Sequence, residues 1–312
     1  MPMRDDFCAF ILTHGRPDRV RTYSTLQRSG YTGKVYIVID DEDETADEYR
    51  KRFGDKILLF CREDAFKATD DGDNFGKSKG VVYARNVCWD LARQIGVRYF
   101  IMLDDDYVHF NIRFRSDGST CTCMIRTRMN DVMEALVAFY ESVPAVTIAM
   151  SQGGDFIGGG TPDKRRLSRK AMNTFFCSVD RQFEFVGHIN EDVNAYVIGS
   201  RRGELFFTVM QAFVNQPDTQ SVGGGLTEFY LDVGTYVKSF YSVMYAPSCV
   251  TISQMGDSRS PRYRIHHKIN WHHCAPKILR EGYRKTRNGS MQLSAGLKPN
   301  LSARQPAEVA GV

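Results

Sequence analysis

The chemistry most concentrated in this sequence is a run of three carboxylates, Asp104, Asp105 and Asp106, directly after the apolar stretch YFIML at 99–103. Three adjacent negative charges at the end of an apolar strand repel one another and are costly unless a cation sits among them. In an extended segment alternate side chains point to the same side, so Asp104 and Asp106 can face one ligand together. A hard divalent ion, Mn²⁺ or Mg²⁺, accepts such oxygen ligands and keeps positions for water and phosphate oxygens. Diphosphate chemistry assisted by a metal has that carboxylate requirement. The competing reading is a set of solvated loop acids. Position favours the metal, because Tyr107 returns the chain to apolar character immediately after the cluster.

The segments that must carry this cluster alternate in type. FCAFILT at 7–13, VYIVI at 35–39, ILLF at 57–60 and YFIML at 99–103 are short apolar runs that end in polar or acidic residues, as buried strands do. Between them, Ala84, Cys88, Leu91, Ala92 and Ile95 recur at helical spacing over about 78–96, with Gly96 as a stop. This alternation predicts an α/β domain with a Rossmann-like, mainly parallel central sheet flanked by helices. Ligands in such a sheet bind at the carboxyl ends of the strands, where Asp40 and Asp104 fall. The second half is less regular: 131–142 reads as a helix, VTIAM at 146–150 as a strand, and 151–170 as a mobile Gly-rich basic loop.

With 312 residues and no sharp change in composition, the chain reads as one domain over 1–287 and a disordered tail over 288–312, where Ser, Ala, Asn, Gln and Pro dominate. An apolar fraction of 42% supports a substantial core, and a formal net charge of +4 matters only where it is clustered. The start MPMRDDF has no apolar signal-like stretch, and no run is long enough to span a membrane, so a soluble cytoplasmic protein with no membrane partner is expected. Eight cysteines without a CxxC pair predict reduced thiols.

FCAFILTHGRP, VYIVIDDED and GVVYARNVCWDLARQIGVRYFIMLDDDY, in that order, resemble the nucleotide-sugar half of GT-A glycosyltransferases. The closer resemblance is to the TET-associated glycosyltransferases, through THGRPDRVRTYSTLQRSGYTGKVYIVIDDEDETAD, YARN, LDDDY, GTYVKSFYSVMYAPS, RIHHKINW and PKIL, which together reach from about 10 to 285. That resemblance implies a GT-A fold and sugar transfer from a nucleotide donor, with UDP-glucose the first candidate. Asp104 and Asp106 become the pair that holds metal and diphosphate, and Asp105 a neighbour that contacts sugar or ribose. Thr13, His14, Arg16 and Asp40 fall where the nucleotide lies in such a fold; Arg16 could equally stabilise the turn at Pro17, and Asp40 could be a turn former. Arg85 and Asn86, on the strong helix, need partners that either the donor or a structural carboxylate could supply. In GHINEDVNAYVIGSRRG, the pair Glu191-Asp192 is similar to the one in which many inverting members place their base. Asp192 is the candidate base, with Glu191 as the alternative base and helix capping as an alternative role for Asp192. Of the late histidines His266, His267, His272 and His273, the motif favours His266 and His267 as metal or diphosphate ligands.

Two basic clusters stand apart: Lys164, Arg165, Arg166, Arg169 and Lys170, and then Arg280, Arg284, Lys285 and Arg287. Such clusters are usually solvated surface, but they are also what a phosphate backbone requires, and Phe175 and Phe176 offer aromatic faces for bases. The family's association with oxidases of 5-methylpyrimidines implies DNA containing 5-hydroxymethylcytosine as acceptor, and a phage-encoded copy would work in the host cytoplasm. Three alternatives remain: a GT-A enzyme acting on a polysaccharide, lipid or protein; a metal-dependent nuclease using Asp104, Asp106, Glu191 and Asp192; and a catalytically silent DNA-binding module.

Overall fold

A computed structural model describes residues 2–73, 80–115, 117, 119–152, 171–216, 237–257 and 260–274. A nine-stranded sheet runs through the chain in the order β3-β2-β1-β4-β8-β7-β9-β5-β6. Its first four strands are β1 (Phe7–Leu12), β2 (Lys34–Asp40), β3 (Ile57–Phe60) and β4 (Tyr99–Asp104), separated by α1 (Arg21–Arg28), α2 (Ala46–Phe53), α3 (Arg62–Ala68) and α4 (Val81–Gln94). These strands are all parallel, as the alternation of apolar runs and helical stretches predicts.

The second half departs from a simple βα repeat. β5 (His109–Phe114), β6 (Thr120–Met124), β7 (Thr147–Gln152), β8 (Phe175–Ser178) and β9 (Phe206–Asn215) make the sheet mixed: β8 is antiparallel to β4 and β7, β5 is antiparallel to β6 and β9, and only β7 and β9 are parallel. Two helices join them, α5 (Met129–Ser142) and α6 (Glu191–Arg201). A helical segment over 237–245, here α7, then leads to an antiparallel pair, β10 (Val250–Asp257) and β11 (Ser260–Ile269), and the short α8 (Trp271–Cys274).

Why the first strands read as unbroken apolar runs is visible in β1, where every residue is buried. Cys8, Phe10 and Leu12 face one hydrophobic cluster with Val82, Cys88 and Trp89 of α4; Phe7, Ala9 and Ile11 face another with Leu26 of α1 and Met133 and Val137 of α5. A strand covered by helices on both faces has no solvent side to mark with polar residues. Trp89 locks the first cluster, with its ring edge-on to Phe100 at 5.6 Å and its indole N–H donating to the Ser178 carbonyl at 3.2 Å.

One expectation is overturned here. Phe175 and Phe176 lie in β8, in the middle of the sheet, at 0% and 1% exposure, so they are core side chains and not stacking faces for bases. Two apolar aromatics in a central strand lose more by staying in water than any surface role returns. Of the loop read over 151–170, Ser151 and Gln152 belong to β7 and residues 153–170 lie outside the described residues, as does the tail read over 288–312. All eight cysteines are free. Among the described residues no helix is long and apolar enough to cross a membrane.

Candidate functional site

The strand order 3-2-1-4 reverses direction between β1 and β4, which opens a crevice at the carboxyl ends of these strands. The register pairs Leu12 with Asp104, so the loop after β1 and the acidic turn after β4 leave the sheet side by side. Their side chains then interlock. Asp105 is 1% exposed, and its Oδ2 accepts hydrogen bonds from Thr13 Oγ1 at 2.5 Å and Arg16 Nε at 2.7 Å. Tyr49 of α2 completes this joint, its hydroxyl lying 2.9 Å from Thr13 Oγ1 and accepting from the Arg16 amide at 3.1 Å. Asp105, Thr13 and Arg16 therefore anchor the β1 loop to the acidic turn. One oxygen of Asp105 is thus taken up by the protein, while its other, Oδ1, is buried without a hydrogen-bond partner.

Asp40 ends β2 on the same side. Its Oδ2 lies 2.7 Å from His14 Nδ1 and its Oδ1 3.5 Å from Arg62 Nη1. Burial pushes the Asp40 carboxyl up, but the His14 hydrogen bond and the charges of His14 and Arg62 outweigh it and hold the group below its ordinary value. Thr22, at the start of α1, fixes the acidic turn from beneath, donating to the Asp104 carbonyl at 2.6 Å and accepting from the Tyr107 amide at 2.9 Å. Thr22, Tyr49 and Arg62 had no signal in the sequence, since each meets its partners only through the strand order.

Arg85 joins the acidic turn to the second acidic pair. It projects from α4 with its side chain 3% exposed, its Nη2 3.1 Å from Asp104 Oδ1 and its Nε 3.1 Å from Glu191 Oε1. Phe175 and Phe185 wall it, 4.8 and 5.5 Å from the guanidinium carbon. Burial opposes the charge of this guanidinium, yet Asp104, Glu191 and Asp192 hold its pKa above the ordinary value. Asn86, next on the helix, has another task. Its amide donates to the Phe185 carbonyl at 2.9 Å and to Thr69 Oγ1 at 3.2 Å, and its oxygen accepts from the Phe185 amide at 2.9 Å. The backbone leading to α6 takes the place of the donor as its partner.

Glu191 and Asp192 occupy the first turn of α6, whose N-cap is Asn190 in the left-handed region at φ 56°. Asp192 thus follows the cap and does not form it, although its Oδ1 accepts from the Val193 amide at 2.7 Å. Acids in the first turn also suit the helix dipole. Burial pushes Asp104 and Glu191 up to about 7 each, against the lowering effect of Arg85. In Asp104 the neighbours Asp106 and Glu191 add to the rise, and in Glu191 its neighbour Asp192 does so.

The acidic turn suits a cation. Burial raises Asp106 as well, Asp105 adds to the rise, and a buried Oδ1 of Asp106 has no hydrogen-bond partner. Buried carboxylate oxygens without a donor are what an ion would satisfy. His266 and His267 lie on β11, outside the nine-stranded sheet, and do not converge with Asp104 and Asp106 into a set of three ligand atoms among the described residues. Lys164, Arg165, Arg166, Arg169, Lys170, Arg280, Arg284 and Lys285 lie outside the described residues.

These shifts set a pH dependence. A carboxyl whose folded pKa is raised contributes stability that is fully present below its unfolded value of about 4 and is lost as pH rises through the folded value. For Asp104 and Glu191 that loss begins near the unfolded value and is nearly complete at about 7. Asp40, held low, loses its contribution only in more acidic solution. In chelator, the melting temperature is therefore expected to be higher at about pH 5.5 than at about pH 8, and added Mn²⁺ is expected to narrow the gap because the ion needs deprotonated ligands. Differential scanning fluorimetry reads both effects, and a flat profile in chelator contradicts the burial of these acids.

A mixed α/β sheet with acids gathered at the switch point of its parallel half defines an α/β domain whose ligand crevice lies at the carboxyl ends of its parallel strands. Within that class, the chain belongs to the TET-Associated Glycosyltransferase family, whose model matches residues 7–225. It is a glycosyltransferase. No curated protein matches it in sequence. Among solved structures it is similar to residues 1–349 of TarS from S. aureus, at 13% identity and a TM-score of 0.38 over 67% of this chain, spanning only 60% of that one. It is also similar to glucosyl-3-phosphoglycerate synthase from Mycobacterium tuberculosis. One such structure is in complex with Mn²⁺, UDP and phosphoglyceric acid, at 10% identity and a TM-score of 0.42, over 85% of this chain and 87% of that one. A second holds Mn²⁺, UDP-glucose and glycerol 3-phosphate, at 9% identity and 0.43, over 83% and 89%.

Proposed function

We propose that the protein transfers a sugar, glucose from UDP-glucose being the first candidate, onto the hydroxymethyl group of 5-hydroxymethylcytosine in DNA. The observation that carries this reading is the chain of charge from the partly exposed Asp104 through the buried Arg85 to the buried Glu191. It links the acids suited to the donor diphosphate with an acidic pair suited to deprotonating an acceptor.

Asp104 and Asp106 would hold a divalent cation, Mn²⁺ or Mg²⁺, which when bound neutralises charge building on the leaving nucleoside diphosphate. The β1 loop, held by Thr13, Arg16 and Asp105, and the Asp40–His14 pair beside it frame the nucleotide. Asp192 takes the proton of the hydroxymethyl group as its oxygen attacks the anomeric carbon. The bond from that carbon to the diphosphate breaks on the opposite face, and the configuration inverts. Glu191, tied to Arg85, positions this end of the site; it is the alternative base. Arg85 keeps both acids in register.

The acceptor follows from the family's association with pyrimidine oxidation. A base inside a duplex would have to leave the stack to bring its hydroxymethyl oxygen to Asp192. The basic clusters at 164–170 and 280–287 supply phosphate contacts, and the work is placed in the cytoplasm, the host's if the gene is phage-borne.

The test is mass spectrometry of hydroxymethylated duplex DNA after incubation with Mn²⁺ and a panel of nucleotide sugars. A hexose on the modified cytosine is expected with UDP-glucose. Transfer to a carbohydrate, lipid or protein with none to DNA overturns the acceptor. Arg165→Glu with Arg166→Glu is expected to weaken DNA binding and to flatten its salt dependence, since fewer counterions are released. Unchanged affinity and slope in a filter-binding series would remove that cluster from the interface.

A further inference from the structure

A second group of ligand-type side chains lies next to the site without belonging to it. Asp71, Asp73 and His188 each offer one atom, and these atoms lie within 4.8 Å of one another. His188 is fully buried and stands three residues before Glu191, while Asp71 and Asp73 end the described segment that precedes α4. The backbone sews the two segments together: Gly187 N–H donates to the Asp70 carbonyl at 2.7 Å, and His188 N–H to the Asp71 carbonyl at 2.8 Å.

His188 Nδ1 lies 3.3 Å from Asp73 Oδ2, long for a charge-assisted hydrogen bond. It is close to the spacing of two ligands on one tetrahedral cation whose bonds are about 2.0–2.2 Å. Both carboxylates also have the outer partners that ligating carboxylates need to keep their orientation. Tyr83 OH donates to Asp71 Oδ2 at 3.2 Å, and Tyr241 OH from α7 donates to Asp73 Oδ2. Room beside the imidazole depends on Gly80, where a Cβ would stand 3.0 Å from His188 Nε2. Two carboxylates and one imidazole suit a first-row divalent ion such as Zn²⁺ or Mn²⁺ better than Mg²⁺.

We propose that Asp71, Asp73 and His188 form a second divalent-metal site that ties the segment before α4 to the start of α6 and so positions Glu191 and Asp192. It is separate from the Asp104 cluster and does not rest on the sugar-transfer reading.

The experiment uses the full chain carrying Asp104→Asn and Asp106→Asn, stripped with chelator and titrated with Zn²⁺ by calorimetry in the absence of nucleotide and DNA. One ion per chain is expected to bind. X-ray absorption at the zinc edge is expected to show a single imidazole with oxygen ligands. Adding Asp73→Asn, or separately Asp71→Asn, is expected to weaken binding by more than the roughly 10- to 100-fold that follows loss of an outer partner. Absence of binding in the folded background protein overturns the site. So does a zinc spectrum with thiolate or several imidazoles, and so does affinity that survives both Asp substitutions. The zinc-edge spectrum decides the matter even if those variants do not fold.

Discussion

Asp106→Asn is expected to abolish ion-dependent UDP binding, with affinity in the presence of Mn²⁺ falling by at least roughly 100-fold, about 2.7 kcal/mol. The substitution keeps shape and removes one negative oxygen from a site where a buried Oδ1 has no protein donor. Asp104→Asn is expected to give a similar loss and one further effect, because Asp104 also pairs with Arg85. A neutral amide there leaves a buried guanidinium with less opposing charge, so this variant is also expected to melt at a different temperature, whereas Asp106→Asn keeps the Arg85 pair intact. Calorimetry with and without Mn²⁺ reads the affinity, and a thermal melt in chelator reads the stability. Metal-dependent UDP binding that persists in both variants would remove these acids from the donor site.

The second large effect is expected at Asp192. Asp192→Asn removes the proton acceptor and nearly preserves volume, so turnover is expected to fall by about 10² to 10⁴ with donor affinity little changed. Glu191→Gln provides the contrast. Glu191 contacts Arg85, and Arg85 contacts Asp104, so loss of that charge travels toward the donor acids and is expected to change KM for the nucleotide sugar together with kcat. Steady-state kinetics on both variants separates base from positioning residue, and the anomeric configuration of the product gives an independent check. An inverted product is expected. Retention, or near-normal turnover in Asp192→Asn, would make Asp192 structural and move the chemistry elsewhere.

The acids of the first prediction were legible in the sequence from strand ends, as β1 and β4 show, whereas Asp192 was read only from the family resemblance. Strands covered by helices on both sides must be apolar throughout, so their ends are sharply marked and the acids that follow fall at a strand terminus. Hence the parallel half of the sheet, the helix read over about 78–96 and found at Val81–Gln94, and the position of Asp40 and Asp104 could be read locally. The mixed half could not. β5, β6, β8 and β9 are defined by whom they pair with, and pairing partners are distant in sequence: β4 meets β8 through Met102 and Phe175. Phe175 and Phe176 show the consequence, since a local view saw two aromatics after a basic loop and the sheet made them core.

What each acid does was decided by tertiary structure alone. Asp104, Asp105 and Asp106 are equivalent as a string, yet Asp104 meets Arg85 and Asp105 meets Thr13 and Arg16 through one oxygen, while Asp105 and Asp106 each keep a buried Oδ1 without a protein partner. Asn86 and Arg85 are neighbours on one helix, but one holds backbone and the other spans two acidic pairs. His188 stands in the GHINED stretch without a role read from the sequence, and gains its significance only from Asp71 and Asp73, more than a hundred positions earlier. The sequence by itself determined which residue types stand at strand ends, because hydrophobic burial and strand length act over a few residues. Partners, burial and protonation depend on distances across the fold, where a shift of one residue in register would exchange one neighbour for another.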